Sequence, residues 1–215
     1  MVHQCPVPFA TTESIISVVN SAISVEIREV TAINFVAYDF AEKSIPQMAN
    51  GVTPGYTTYQ MYRAAGGYCL AAAVVNGDEQ GEHSGEQVLK AMEDSGLRGL
   101  GGAGFAAGRK WRIVRDQPAP RLMAVNIDEG EPGTFKDRTY LERDPHRFIE
   151  GLLIAAQVVG IDACYIYLRD EYHGCREVLE LELDWLRADP PCPLPLIELR
   201  RGAGAYICGE ESAMI

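Results

Sequence analysis

The chain has 215 residues, enough for one sizeable domain or one domain with an attached segment. Its 47% hydrophobic and 23% charged shares are ordinary for a globular protein, and no apolar run approaches the roughly eighteen residues that a membrane helix needs. A net charge of −11 argues against nucleic acid as the main partner, so a polyanionic ligand would have to be met locally.

The opening MVHQCPVPFATTES has neither a basic start nor a long apolar run, which points to a cytoplasmic protein without a signal peptide. Met1 to about Gly55 is a poorly defined segment: Ser14–Ser24 reads as a short helix, Val25–Val30 and Ile33–Tyr38 as strands, and Pro46 to Gly55 as a linker. Residues 56–95 form a helical lead-in. Tyr59–Val74 is helical except where Gly66–Gly67 should break it, and from Ser84 onward Val88, Leu89 and Met92 sit at helical spacing up to a stop at Gly96.

Residues 96–215 carry the clearest pattern. Phe105–Arg115 is expected to be helical and closed by Gln117–Pro118, and Leu122–Asn126 a short buried strand. Asp144–Pro145 opens a helix that runs to Gly160, and Ala163–Leu168 is a second strand. A helix over Glu171–Ala188 is broken by Pro190 to Pro195, and Leu196–Leu199 is a third strand. Alternating strands and helices of this kind imply an α/β, Rossmann-like sandwich with a mainly parallel sheet. The chain ends where a further helix should be starting, so it reads as the N-terminal part of something longer.

Three stretches carry chemistry. In SGLRGLGGAGFAAGRKW, Gly99, Gly101, Gly102 and Gly104 remove side chains where a ligand would approach backbone amides, and Gly108, Arg109 and Lys110 follow at a helix start suited to an anion. Gly99-x-Gly101-x-x-Gly104 matches the dinucleotide fingerprint in spacing, but that fingerprint needs a strand before it, and the preceding segment reads as helix. The glycine loop is therefore not a classical Rossmann turn, and a loop that only packs tightly is the plainer alternative. The second stretch places Asn126, Asp128, Glu129 and Glu131 after a strand, where open α/β sheets hold ligands; metal binding, hydrogen bonding to a cofactor and simple solvation all remain open there. The third, Arg200 to Glu211, is another glycine-rich run with Tyr206 and two carboxylates. Cys5, Cys69, Cys164, Cys175, Cys192 and Cys208 lack the close spacing of a metal or cluster set and read as buried thiols.

LRGLGGAGFAAGRKW, NIDEGEPGTFKDR, DPHRFIEG and RRGAGAYICGEESAMI, in this order, resemble the FMN- and NADH-binding subunit shared by respiratory complex I (its 51-kDa subunit), NAD-reducing hydrogenases and NAD-dependent formate dehydrogenases. The resemblance runs from about Tyr59 to Ile215, and the form LRGLGGAGF is most like the formate dehydrogenase β-subunit branch. It implies a flavoprotein (diaphorase) subunit that exchanges a hydride between NAD(H) and FMN. Electrons would pass on to iron–sulfur clusters of partner subunits, with a [4Fe–4S] cluster of its own only in a part beyond Ile215.

The resemblance also implies residue roles. Gly99, Gly101, Gly102 and Gly104 would line the cofactor floor with Lys110 near FMN, and Asn126, Asp128 and Glu129 would hydrogen-bond the flavin. Gly209 and Glu210 would complete that side, with Tyr206 close by. Phe105 would stack on adenine, and Glu131 and Glu211 would position the nicotinamide, since hydride transfer depends on holding donor carbon and acceptor nitrogen in contact. Two other readings stand beside this one: a Rossmann-type NAD dehydrogenase without flavin, and a truncated, non-catalytic assembly domain.

Overall fold

The computed structural model describes residues 55–76, 83–99 and 103–214; the elements expected between Ser14 and Tyr38 lie outside them. Helices α1 (Tyr59–Ala64) and α2 (Cys69–Asn76) divide at the expected glycine pair. Gly66 adopts φ +90°, and a Cβ on Gly67 would run into the Tyr62 ring. Helix α3 (Gly85–Asp94) begins with a reciprocal Ser84–Gln87 capping box and stops at Gly96. Helix α4 (Ala107–Arg115) starts two residues later than the sequence suggests. The reason is local: Arg98 bridges Ala106, Gly99 N–H donates to the Phe105 carbonyl at 2.9 Å, and Ala107 N–H donates to Leu97 at 2.8 Å.

Strands β1 (Leu122–Ile127), β2 (Ala163–Leu168) and β3 (Leu196–Arg201) form a parallel sheet in that order, in register from Leu122/Ala163/Leu196 to Ile127/Leu168/Arg201. All three lie where period and composition place them, but β1 is not the buried strand expected: only its last residue, Ile127, is buried, because helices cover one face of this edge strand and leave the other open. Helices α5 (Lys136–Leu141) and α6 (Pro145–Val159) connect β1 to β2, and α7 (His173–Ala188) connects β2 to β3. Short α5 is new; the sequence shows only a polar stretch there.

Helix α6 is the centre of the molecule. Asp144 accepts from Arg147 N–H at its start, Pro145 fills the first turn, and Gly160 closes it with φ +73°. Of its fifteen residues only Arg147 and Gln157 are exposed, the profile of a helix packed on all sides. Ile127, Ile166, Leu168 and Ile197 of the sheet join α6, α7 and the lead-in residues Tyr59, Leu70, Val88 and Leu89 in one continuous core. On β1 the opposite face, Leu122, Ala124 and Asn126, is exposed.

A buried polar network docks the lead-in on this core. The Glu182 carboxylate, on α7, accepts from Tyr56 Oη (2.8 Å), Tyr59 N–H (2.8 Å) and, at 2.8 Å, the Nε2 of His146 on α6. His146 Nδ1 lies 2.7 Å from Tyr68 Oη, and Glu150 takes Tyr62 Oη at 2.5 Å and Ala71 N–H at 3.2 Å. Among the described residues no helix is long and apolar enough to cross a membrane, and the five cysteines there are buried and form no disulfide. Burial pushes the Cys164 and Cys175 thiols up to about 12, so they behave as small apolar side chains.

Candidate functional site

The C-terminal ends of the three parallel strands feed three turns: residues 128–135 after β1, 169–172 after β2 and 202–210 after β3. The last includes a 3₁₀ turn, Tyr206–Gly209, and leads into the short helix α8 (Glu211–Met214), where a helix start is expected from sequence. The ladder carries on into these turns, with Arg169 N–H donating to the Ile127 carbonyl at 3.0 Å and Gly202 N–H to Leu168 at 2.7 Å. A side chain at Gly202 would press on the Leu168 carbonyl, 3.1 Å from its Cβ. Asp170 pairs with Arg201 across the gap.

Asn126 joins the first turn to the third. Its Nδ2 donates to the Gly209 carbonyl at 2.7 Å while its Oδ1 accepts Asp128 N–H at 3.0 Å. Gly209 is held close by Asp128: a Cβ there would stand 3.0 Å from the Asp128 carbonyl and 3.5 Å from its Oδ2. Gly130 packs in the same way under Tyr206, whose ring carbon would be 3.3 Å from an added Cβ. The structure thus brings together Asn126, Asp128, Tyr206 and Gly209, which are far apart in sequence.

Asp128 Oδ2 is the one buried side-chain oxygen or nitrogen among the described residues without a hydrogen-bond partner. Burial raises the Asp128 pKa, with nearby Arg169 opposing the shift and Glu171 and Glu131 adding to it. A buried oxygen of this kind is costly until a donor reaches it. Glu131 is exposed beside it, Tyr206 is 71% exposed and Phe135 51% exposed, so the rim offers carboxylate and aromatic surface together.

Glu129 is placed differently from the expectation that its side chain faces the flavin. It is 4% exposed, turned under the turn, with Oε1 accepting Asp137 N–H at 3.1 Å and Oε2 accepting Tyr172 Oη at 2.9 Å. Lys136 Nζ lies 3.6 Å away. Glu210 is exposed, and its carboxylate accepts from the Ser212 N–H at 3.0 Å at the start of α8; Glu211 is the first residue of that helix.

In the glycine-rich turn, Gly101 and Gly102 lie outside the described residues. Gly104 takes φ +57°, which a side chain would strain, and its carbonyl accepts from Arg98 Nη1 at 2.9 Å. A Cβ at Gly99 would stand 3.9 Å from the Phe105 carbonyl oxygen, an ordinary contact. Gly108 serves packing, because a Cβ would sit 2.5 Å from the Glu93 backbone nitrogen where α4 crosses α3. Phe105 is exposed under the Arg109 guanidinium, 5.7 Å from its ring centre, and Lys110 is exposed one turn into α4. The N-cap residue of α4, Ala106, offers no side-chain acceptor to the first-turn amides. Helix α3 and a lone bridge precede Gly99, where a Rossmann turn requires a strand.

Among the described residues no group of His, Cys, Asp and Glu could hold a metal ion. The residues that sequence reasoning left out are Arg169, Tyr172 and Lys136, which surround Glu129, and the His146–Glu182 pair. Only Tyr172 carried a signal, as an aromatic just before a helix start near a strand end.

Comparison with known proteins places the chain in a family. Residues 92–215 match the Nuo51 FMN-binding domain. The chain is similar to an NADH-quinone oxidoreductase component from Rhizobium meliloti (strain 1021), with 39% identity over 163 residues, 72% of this chain and 38% of that protein. It is also similar to the NAD-reducing hydrogenase HoxS subunit alpha of Cupriavidus necator, with 45% identity over 140 residues, 60% of this chain and 23% of that protein. Among solved structures, the air-oxidized NAD⁺-reducing [NiFe]-hydrogenase superposes with a TM-score of 0.56 at 42% identity, covering 67% of this chain and 25% of that one. The chain therefore spans well under half the length of these relatives. With the family model covering more than half of it, and with parallel strands delivering the family's motifs to one edge, the chain belongs to the complex I 51-kDa family through its Nuo51 FMN-binding domain.

Proposed function

We propose that this chain supplies the FMN- and NAD(H)-binding part of a diaphorase subunit, working within a multi-subunit dehydrogenase of the complex I, hydrogenase or formate dehydrogenase type. The observation that carries the reading is the buried, unpartnered Asp128 Oδ2 beside Gly209, at the strand ends of a chain in an FMN-binding family. A flavin with its ribityl hydroxyls and ring N–H is rich in the donors this oxygen lacks, so the residues present fit the group.

When bound, FMN supplies a hydride acceptor that can also release electrons singly. The chain's own residues hold and orient. Asp128 accepts hydrogen bonds, Asn126 fixes the spacing of the first and third turns, and the closely packed Gly209 and Gly130 keep side chains out of the floor. Gly99, Gly101, Gly102 and Gly104 do the same in the glycine turn, where Lys110 and the α4 amides meet the phosphate. Phe105 and Tyr206 offer exposed aromatic faces to the adenine and the ring system. Glu131 and Glu211 line the nicotinamide side, and Glu210 completes the flavin side beside Gly209. The subunit is cytoplasmic and meets a membrane only through partners, which also carry the clusters that receive its electrons.

The test is a flavin titration of the purified chain followed by anaerobic NADH. FMN fluorescence is expected to be quenched on binding and the flavin absorbance to bleach on addition of NADH. A folded chain that binds no FMN would refute the reading and favour a non-catalytic assembly role. NADH binding without any flavin would favour a flavin-free dehydrogenase.

A further inference from the structure

The geometry points to Glu129 and Tyr172 as a positioning pair that holds the 128–135 turn from beneath without touching a ligand, an inference that rests on the function proposed above. A turn at a strand end is ordinarily loose, because water satisfies its backbone and its acidic side chains. This one is tied down by its second residue.

Glu129 is buried, and each carboxylate oxygen has its own partners. Oε1 takes Asp137 N–H at 3.1 Å with Lys136 Nζ at 3.6 Å; Oε2 takes Tyr172 Oη at 2.9 Å and Arg138 N–H at 3.4 Å. Two backbone amides at the start of α5 are thereby satisfied by a side chain that precedes them by 8 and 9 residues, which explains why so short a helix forms there. The Glu129 carbonyl accepts from Arg169 Nη1. Arg169 is itself fixed by Glu171, with Nε to Oε2 at 2.9 Å and Nη2 to Oε1 at 3.2 Å. The Tyr172 ring lies under two guanidiniums, Arg138 at 5.9 Å and Arg169 at 5.8 Å. Side chain and main chain of one residue are thus both anchored to the β2–α7 turn.

The neighbours of Glu129 in sequence are residues assigned above to the ligand. Asp128 on one side and Gly130–Glu131 on the other are joined directly to Glu129 by planar peptide units, so anchoring Glu129 narrows the range that both can adopt. Specific hydrogen bonds to a buried carboxylate therefore set the direction of Asp128 and the reach of Glu131.

Tyr172→Phe keeps the ring beneath its arginines and removes one hydroxyl. In the full chain this variant is expected to unfold at nearly the unaltered temperature, to bind FMN about tenfold more weakly, and to exchange amide hydrogens faster in peptides from 128–138 than elsewhere. At saturating FMN, the visible circular dichroism of the flavin should change shape, and bleaching by NADH should slow without a change in half-saturating NADH. Glu129→Gln should reproduce these effects, and the double variant should add little to either single one. Unchanged flavin affinity, dichroism and exchange in Tyr172→Phe would overturn the positioning role and leave the functional reading intact. Failure of the unsubstituted chain to bind FMN would overturn that reading, and the positioning role would fall with it.

Discussion

Among the described residues, carboxylates lie away from bulk water behind the sheet and at the strand ends, and they are completed differently. Behind the sheet, Glu182 and Glu150 are fully supplied by donors: Tyr56, Tyr59 N–H and His146 for the first, Tyr62 and Ala71 N–H for the second. At the strand ends, Asp128 keeps a buried oxygen that nothing in the described chain satisfies. Glu182 and Asp128 are also shifted in opposite directions. Burial works to raise the Glu182 pKa, but hydrogen bonds from His146, Tyr56 and the Tyr59 amide outweigh it and hold the group below the ordinary carboxylate range. For Asp128, burial wins and the pKa is raised. A buried acid with a complete set of donors is architecture, while one left short of a donor at a loop edge is waiting for a ligand.

The strongest way to break that comparison is to remove the completed acid. Glu182→Ala strands three donors at once and should cost about 3 kcal/mol in denaturant unfolding, with loss of the lead-in helices from the core. A loss under about 1 kcal/mol would mean the network is decorative. Next comes Gly108→Ala, whose new methyl meets Glu93 backbone; roughly 2 kcal/mol of destabilisation is expected, with flavin binding following stability and not falling further.

Acid titration sharpens the contrast. Because the folded Glu182 pKa is depressed, its contribution is complete above the unfolded value of about 4.3 and disappears as pH falls through the folded one. The stability gap between the natural chain and Glu182→Gln should therefore narrow with acidification below that point, and a gap independent of pH would contradict the assignment. A smaller effect on folding is expected at the ligand side. Gly209→Ala pushes on the Asp128 carbonyl, so FMN affinity should fall about tenfold with little change in melting temperature. The smallest effect belongs to Arg112, whose ion pairs with Glu86 and Glu93 are solvent-exposed; Arg112→Ala should leave both stability and flavin binding unchanged within error.

Much of the scaffold was legible in the chain. The Ser84 onset, the Gly96 stop, Asp144–Pro145 and Gly160 mark helix ends that the fold respects, because caps act within a few residues and need no distant partner. Ala163–Leu168 is a strand at the limits its apolar run suggests. Less was legible where the deciding contact lies outside the element's own residues. The α5 helix was missed because Glu129 and not a neighbouring cap residue meets its first amides. The late start of α4 follows from the Arg98–Ala106 bridge, which periodicity does not encode. Of the site residues, Asn126 and Asp128 could be singled out as polar groups after a strand, but nothing local distinguished Asp128 from Glu129.

By itself the sequence determined the order of helices and strands, the glycine and acidic turns at their junctions, and a family resemblance carried by four ordered motifs. Those properties are local or additive along the chain, so they can be read without coordinates. Only the tertiary structure decided which carboxylates are spent and which remain available, because burial and hydrogen-bond supply depend on residues far apart. Asn126 finds Gly209, His146 finds Glu182, and Glu129 finds Tyr172. Asp128 is left with an unpartnered oxygen at the edge of the sheet.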